Sequence, residues 1–196
     1  RRFLQDPESA KGRLGALLDE DPADQEALEQ LRLLLGDQPA MLARRLSQAG
    51  YAQQDPMRAT DLLLQASSIA PHEEVKISLL RDALQADPSC APAAEQLSEI
   101  FGRRKDWAAL LDVLKTRVTL SREAAETATL CTQMGRLLWH ELHQAQEAEP
   151  CLQKAAELQP GDPEAQLLWA GLLEHLGQTA KAREALERGA AQVEQQ

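Results

Sequence analysis

Proline spacing constrains this chain more than any other feature. Pro22, Pro88 and Pro160 each close an amphipathic helical stretch, in the contexts Asp21-Pro22, Asp87-Pro88 and Gln159-Pro160. Their separations, 66 and 72 residues, are two units of 33 and two of 36. Proline lacks the N–H that a helix interior needs, and its ring clashes with the preceding turn, so a recurring proline punctuates helices. A fixed period of about 20–50 residues marks stacked repeats, in which each unit buries its core against its neighbours. The period divides the chain into a half unit, 1–22, and helix-pair units at 23–54, 55–89, 90–121, 122–161 and 162–196. The half unit holds one helix, around Ser9 to Asp19. Eleven helices joined by short turns are expected, arranged as a single array. Because it opens on Arg1 rather than Met, the chain is expected to be a segment of a longer protein.

The last two units align position by position. In one, Cys131-x-x-Met134-Gly135-x-x-Leu138 is followed by Ala148-x-x-x-Leu152-x-x-Ala155 and then Pro160. In the next, Gln166-x-x-Trp169-Ala170-x-x-Leu173 precedes Gly177 and Ala182-x-x-x-Leu186. The small residues Gly135, Ala170, Ala148 and Ala182 belong where two helices of a pair cross, since a larger side chain would hold the backbones apart. Earlier units keep the spacing but less of the chemistry. Examples are Ala94-x-x-Leu97-Ser98-x-x-Phe101 leading to Trp107, Leu110, Leu114 and Val118, and Ala59-x-x-Leu62-Leu63-x-x-Ala66 leading to Leu80-x-x-Ala83. The first full unit reads Leu28-x-x-Leu31-Arg32-x-x-Leu35, a turn at Gly36-Asp37, then Leu42 and Leu46. This pattern resembles the tetratricopeptide repeat, W-x-x-L-G-x-x-Y…A-x-x-x-F…P, with Cys131 standing where the Trp usually is. The resemblance covers nearly the whole chain, by full motif in the last third and by spacing alone in the first. It implies an all-α, right-handed superhelical solenoid of antiparallel helix pairs.

Helix-end chemistry agrees. Asp55-Pro56 and Asp162-Pro163 place an N-cap acceptor before a proline at the first helical position. Asp106 and Ser121 are further N-cap candidates, and Gly102 and Gly177 sit where a helix C-terminus wants a left-handed residue. Composition supports helices too: aromatics are 3% of the chain, and Ala, Leu, Glu, Gln and Arg dominate. Asn is absent and Arg outnumbers Lys by 15 to 6, a bias pointing to a GC-rich bacterial genome.

Charge excludes several functions. With 31 Asp plus Glu against 21 Lys plus Arg, the net charge is −10. Nucleic-acid binders need a basic stripe to displace counterions, and the densest basic run here is Arg103-Arg104-Lys105 at a helix end. Anionic membrane surfaces are disfavoured likewise, and no apolar run approaches the ~20 residues that span a bilayer. Cys90, Cys131 and Cys151 make an odd, low count that argues against a disulfide framework and for a reducing, cytoplasmic location.

Chemistry-bearing motifs are lacking. His140 and His143 share a helix face, but structural zinc wants four ligands and no further pair is suitably spaced. There is no Gly-rich phosphate loop and no nucleophile elbow, and the carboxylates are spread over helix surfaces. No catalytic residue, cofactor or metal is expected, and the cysteines are expected to be buried small hydrophobes.

The resemblance carries the functional expectation. In tetratricopeptide arrays the first helices of successive pairs line a concave channel, and their fifth, ninth, twelfth and thirteenth positions face it. Those positions here are Glu95, Glu99, Gly102 and Arg103, then Thr132, Arg136, Trp139 and His140, then Leu167, Gly171, Glu174 and His175. Trp139 beside Arg136 is a hot-spot pair by type, although Trp139 could equally pack as core between units. Trp169, at an inward position, is expected to be core. The carboxylate clamp of chaperone-binding members, built from Lys, Arg and Asn, is absent: its basic positions read Thr132, Glu95 and Leu167, and an acidic groove would repel an acidic tail. The resemblance therefore implies a non-enzymatic scaffold that docks a protein or peptide partner. Bacterial motility, pilus or secretion, and signalling assemblies are the expected settings. The alternatives are a peptide- or ligand-sensing regulatory domain that controls an attached effector, and self-association through uncapped ends.

Overall fold

Four of the helix starts are set by local side-chain chemistry. Asp24, Asp55, Asp106 and Asp162 each accept a hydrogen bond from a backbone N–H of the first turn, at 3.0 to 3.2 Å. Pro56 and Pro163 follow their caps directly, at a position whose N–H has no intrahelical partner anyway. The computed structural model describes residues 7–193 apart from 23 and 37. Among these the helices are α1 (Pro7–Glu20), α2 (Gln25–Leu34), α3 (Pro39–Ala52), α4 (Pro56–Ser68), α5 (Glu73–Ala86) and α6 (Ala91–Arg104). They continue as α7 (Trp107–Leu120), α8 (Ala124–Arg136), α9 (Ala145–Leu158), α10 (Pro163–His175) and α11 (Thr179–Val193). No strand occurs among the described residues. The anticipated turn at Gly36-Asp37 lies partly outside them, as does the start of the half unit.

Two of the expected caps differ. Ser121 ends α7 rather than starting α8, and its hydroxyl donates to the Glu126 carboxylate at 2.9 Å. Gly102 is helical, and Lys105 takes the left-handed conformation, φ 57°, at the end of α6. The Asp106 N–H then reaches back to the Phe101 carbonyl at 2.9 Å, so the turn closes around a non-glycine residue. Gly177, φ 75°, does end α10 as expected.

The chain forms two compact units, residues 1–97 and 98–196. In the first, α1 packs on α2, α2 on α3, α3 on α4 and α4 on α5. Its core is aliphatic, with Leu31, Leu35, Leu46, Leu63 and Leu80 at 3% exposure or less. In the second, α8 packs on α7, α9 and α10, and α10 on α9 and α11. Leu130, Leu138, Leu152, Leu172 and Leu173 form its centre, with Trp169 at the edge of the cluster.

The α8–α9 crossing is a close one. A Cβ placed on Gly135 would lie 2.4 Å from both Cγ and a Cδ of Leu152, whose side chain is fully buried. Ala148 and Ala155, both fully buried, keep α9 equally thin on that face. Any side chain at 135 must therefore either move Leu152 or part the helices. The terminal unit is looser: Ala182 and Ala185 are buried on α11, but Leu186, aligned with Leu152, stays 38% exposed.

The crossing predicts a reversal of sign. Gly135→Ala alone should destabilise by about 1–3 kcal/mol through overpacking. In a Leu152→Ala background the same change should be neutral or stabilising, because alanine is the better helix former by about 1 kcal/mol. Chemical denaturation of the four chains of this double-mutant cycle measures it, and additive effects would contradict the close approach.

Candidate functional site

In the second unit the first helices α6, α8 and α10 present the candidate groove residues. Beyond Arg136, α8 widens into a π-helical turn, Leu137–Glu141, closed by the Leu142 N–H on the Leu137 carbonyl at 3.1 Å. Wide turns of this kind are rare and frequently sit at functional sites. His143 then takes a left-handed φ of 56°, and the Gln144 N–H bonds the Leu138 carbonyl at 2.8 Å. The extra residue changes which side chains share a face. Over eight regular residues a helix overshoots two turns by about 80°, and the wide turn takes up part of that. Gln133, Leu137 and Glu141 thereby line one side of α8 together.

That side borders an open cavity of ≈340 Å3 between α6, α7 and α8. Its floor is apolar: Trp107, Leu110 and Leu114 from α7, with Leu137 from α8. Leu114 and Leu137 are buried, while Trp107 and Leu110 are half-exposed toward the opening. Its rim is polar, formed by Ser98 on α6 and by Gln133, Arg136 and Glu141 on the α8 side. A concave apolar floor with a few polar groups at its edge is the usual form of a binding pocket.

The opposite side of α8, toward α10, is filled by the chain itself. Trp139 is half-buried, and its ring stands 3.2 Å from where a Gly171 Cβ would be. His140 stacks on it, ring centroids 4.4 Å apart, and His175 lies 6.2 Å from it at a tilt. Arg136 bridges the same helices through Glu164 at 2.9 Å, with both side chains about half-exposed. Such an exposed pair contributes about 0–1 kcal/mol, so the packing of Trp139 decides the contact.

The first unit carries a related groove between α2 and α4, over Leu46 of α3, with a volume of ≈240 Å3. Gln25, Leu28, Asp61 and Leu62 line it, and the Arg32 guanidinium spans it to Gln65 at 2.8 Å.

Comparison with known proteins bears on the last part of the chain and on the fold. Residues 140–196 match the tetratricopeptide repeat family model. That stretch of the chain is tetratricopeptide repeat sequence. A crystal structure of MamA aligns with 99% of this chain and 92% of its own, at a TM-score of 0.51 and 18% identity. A second MamA crystal structure covers 95% and 93%, at 0.54 and 15%. MamA AMB-1 covers 85% and 93%, at 0.54 and 18%. Identities this low show a common fold. No curated protein sequence matches the chain.

The expected channel positions do not share one setting. Arg136, Trp139, His140 and Gly171 come together between α8 and α10, with His175 beside them. Glu99, Arg103, Leu167, Glu174 and His175 are exposed, Leu167 at 64%, and Glu95 is exposed on the α6 segment of the first unit. Thr132 is a correction. It is 5% exposed, and its hydroxyl bonds the Ala128 carbonyl of its own helix at 3.0 Å, so it faces the core and not a channel. Trp169 is core as expected, at 9% exposure.

Trp107 and Leu110 have the helical spacing of core residues, yet the structure places them on the cavity floor with Leu137. The available signal was Trp107 itself, a large aromatic directly after the Asp106 cap, where a helix begins at the surface.

Burial pushes the Cys90, Cys131 and Cys151 thiols up, and for Cys131 and Cys151 the nearby Lys154 charge offsets this only in part. Among the described residues no three metal-ligating side chains cluster, and no helix is long and apolar enough to cross a membrane.

If Trp139 holds α8 to α10, Trp139→Ala should cost about 1–3 kcal/mol, below the range for a fully buried Trp. Arg136→Ala should cost less than about 1 kcal/mol. Equal effects in chemical denaturation would contradict this ranking.

Proposed function

We propose that this tetratricopeptide chain is a non-enzymatic scaffold whose second unit docks a segment of a protein partner between α6 and α8. The observation that carries this reading is the open ≈340 Å3 cavity with an apolar floor and a polar rim. Its volume, near the lower end of small-molecule sites, suits one or two anchoring side chains of a peptide. The groove is preorganised, because Leu114 and Leu137 belong to the packed core and Trp107 and Leu110 lie against it. Docking then orders the partner and not the scaffold, which lowers the cost of binding. The next groove along, between α8 and α10, already holds Trp139, so the chain offers its anchor site one pair earlier than motif position alone indicates.

A bacterial motility, secretion or signalling assembly remains the setting this repeat type fits.

The test is a pull-down with the immobilised chain and a Leu110→Glu variant whose fold is verified by circular dichroism. A specific protein retained by the native chain and reduced at least tenfold by the variant is the expected result. Equal retention by both would move the docking site off this groove.

A further inference from the structure

The geometry points to a basic–apolar peptide segment as the occupant of the α6–α8 groove: an aromatic or large aliphatic side chain seated on Trp107 and Leu110, with a Lys or Arg beside it meeting Glu141. This rests on the docking reading above and adds the chemistry of the partner.

The floor sets the first half. Trp107, Leu110, Leu114 and Leu137 offer no hydrogen-bonding group except the Trp107 indole N–H, so a buried polar side chain would lose its water without replacement. An apolar anchor loses nothing. The two half-exposed floor residues, Trp107 and Leu110, gain burial only when such an anchor arrives.

The rim sets the second half. Arg136 is the one cation lining the cavity, and Glu164 on α10 already holds it at 2.9 Å. Glu141 lines the same cavity, is exposed, and has no ion-pair partner among the described residues. Glu99, next to the lining residue Ser98, is likewise exposed and unpaired. The carboxylates therefore remain available while the guanidinium is neutralised, and the chain as a whole carries −10. An acidic segment would meet like charge at the rim. A second copy of this chain would bring the same excess of negative charge and is repelled in the same way.

The π-helical turn makes this combination possible. It carries Glu141 round to the side of α8 that holds Gln133 and Leu137, placing a carboxylate at the mouth of an apolar site.

The experiment is selection of a random peptide library displayed on phage against the full chain, with Leu110→Glu and Glu141→Lys variants alongside. Enriched peptides should pair an aromatic or large aliphatic residue with Lys or Arg, and Leu110→Glu should abolish their capture. Synthetic copies should lose about two- to fivefold in affinity on Glu141→Lys, the range for a rim ion pair, and should weaken as salt rises. Leu110-dependent peptides that are acidic or uncharged would overturn the inference and leave the docking reading standing. No enrichment, or enrichment indifferent to Leu110→Glu, would overturn both. Both variants are checked by circular dichroism, and because Glu141 is exposed its variant keeps the test valid should Leu110→Glu fail to fold. A concentration-dependent mass for the native chain, lost with Leu110→Glu, would give the groove to a second copy and overturn the inference.

Discussion

The second unit depends on how closely α8 and α9 approach. Gly135 lets the Leu152 side chain lie directly on the α8 backbone, and Leu152 is itself fully buried in the core cluster of the second unit. A repeat cannot bury its apolar face alone, so the thickness of one pair fixes where the next pair sits. With α8 drawn against α9, α10 comes within reach of Trp139, and α7 lies close enough to α8 for Leu114 and Leu137 to share one cluster. The cavity above Trp107 and Leu110 is what that packing leaves uncovered.

Two grooves flank α8, and the chain treats them differently. On the α10 side, Gly171 leaves room for a Trp139 ring that carries His140 and approaches His175. On the α6–α7 side an open cavity remains, and two of its floor residues, Trp107 and Leu110, are only partly buried. Exposed apolar surface in a concave setting favours association, since burial returns about 25 cal/mol for each Å2 removed from water. The π-helical turn ties the two sides together, because one local widening turns Trp139 toward α10 and Glu141 toward α7.

Much of this was legible in the residues. Proline intervals and the alignment of Gly135 with Ala170 and of Ala148 with Ala182 locate the helix pairs, and Asp55-Pro56 and Asp162-Pro163 mark their starts. Trp169 follows from its inward motif position. The candidate site was legible only in part. A motif position assumes a regular helix, and the π-helical turn after Arg136 breaks that assumption at the residues in question. Thr132 was misplaced for a related reason: a short β-branched hydroxyl can satisfy itself on its own helix and turn inward. Trp107 and Leu110 were hidden because core spacing and groove-floor spacing are the same pattern, and only the absence of a covering side chain tells them apart.

The most direct test of the account is 19F NMR of the full chain labelled with 5-fluorotryptophan, titrated with a captured partner segment. Trp107, Trp139 and Trp169 are the only tryptophans in the chain, so each reports one environment: open groove, filled groove and core. The account predicts that the Trp107 resonance moves with binding while those of Trp139 and Trp169 hold their positions. Movement of Trp139 with Trp107 unchanged would contradict it and place the partner between α8 and α10.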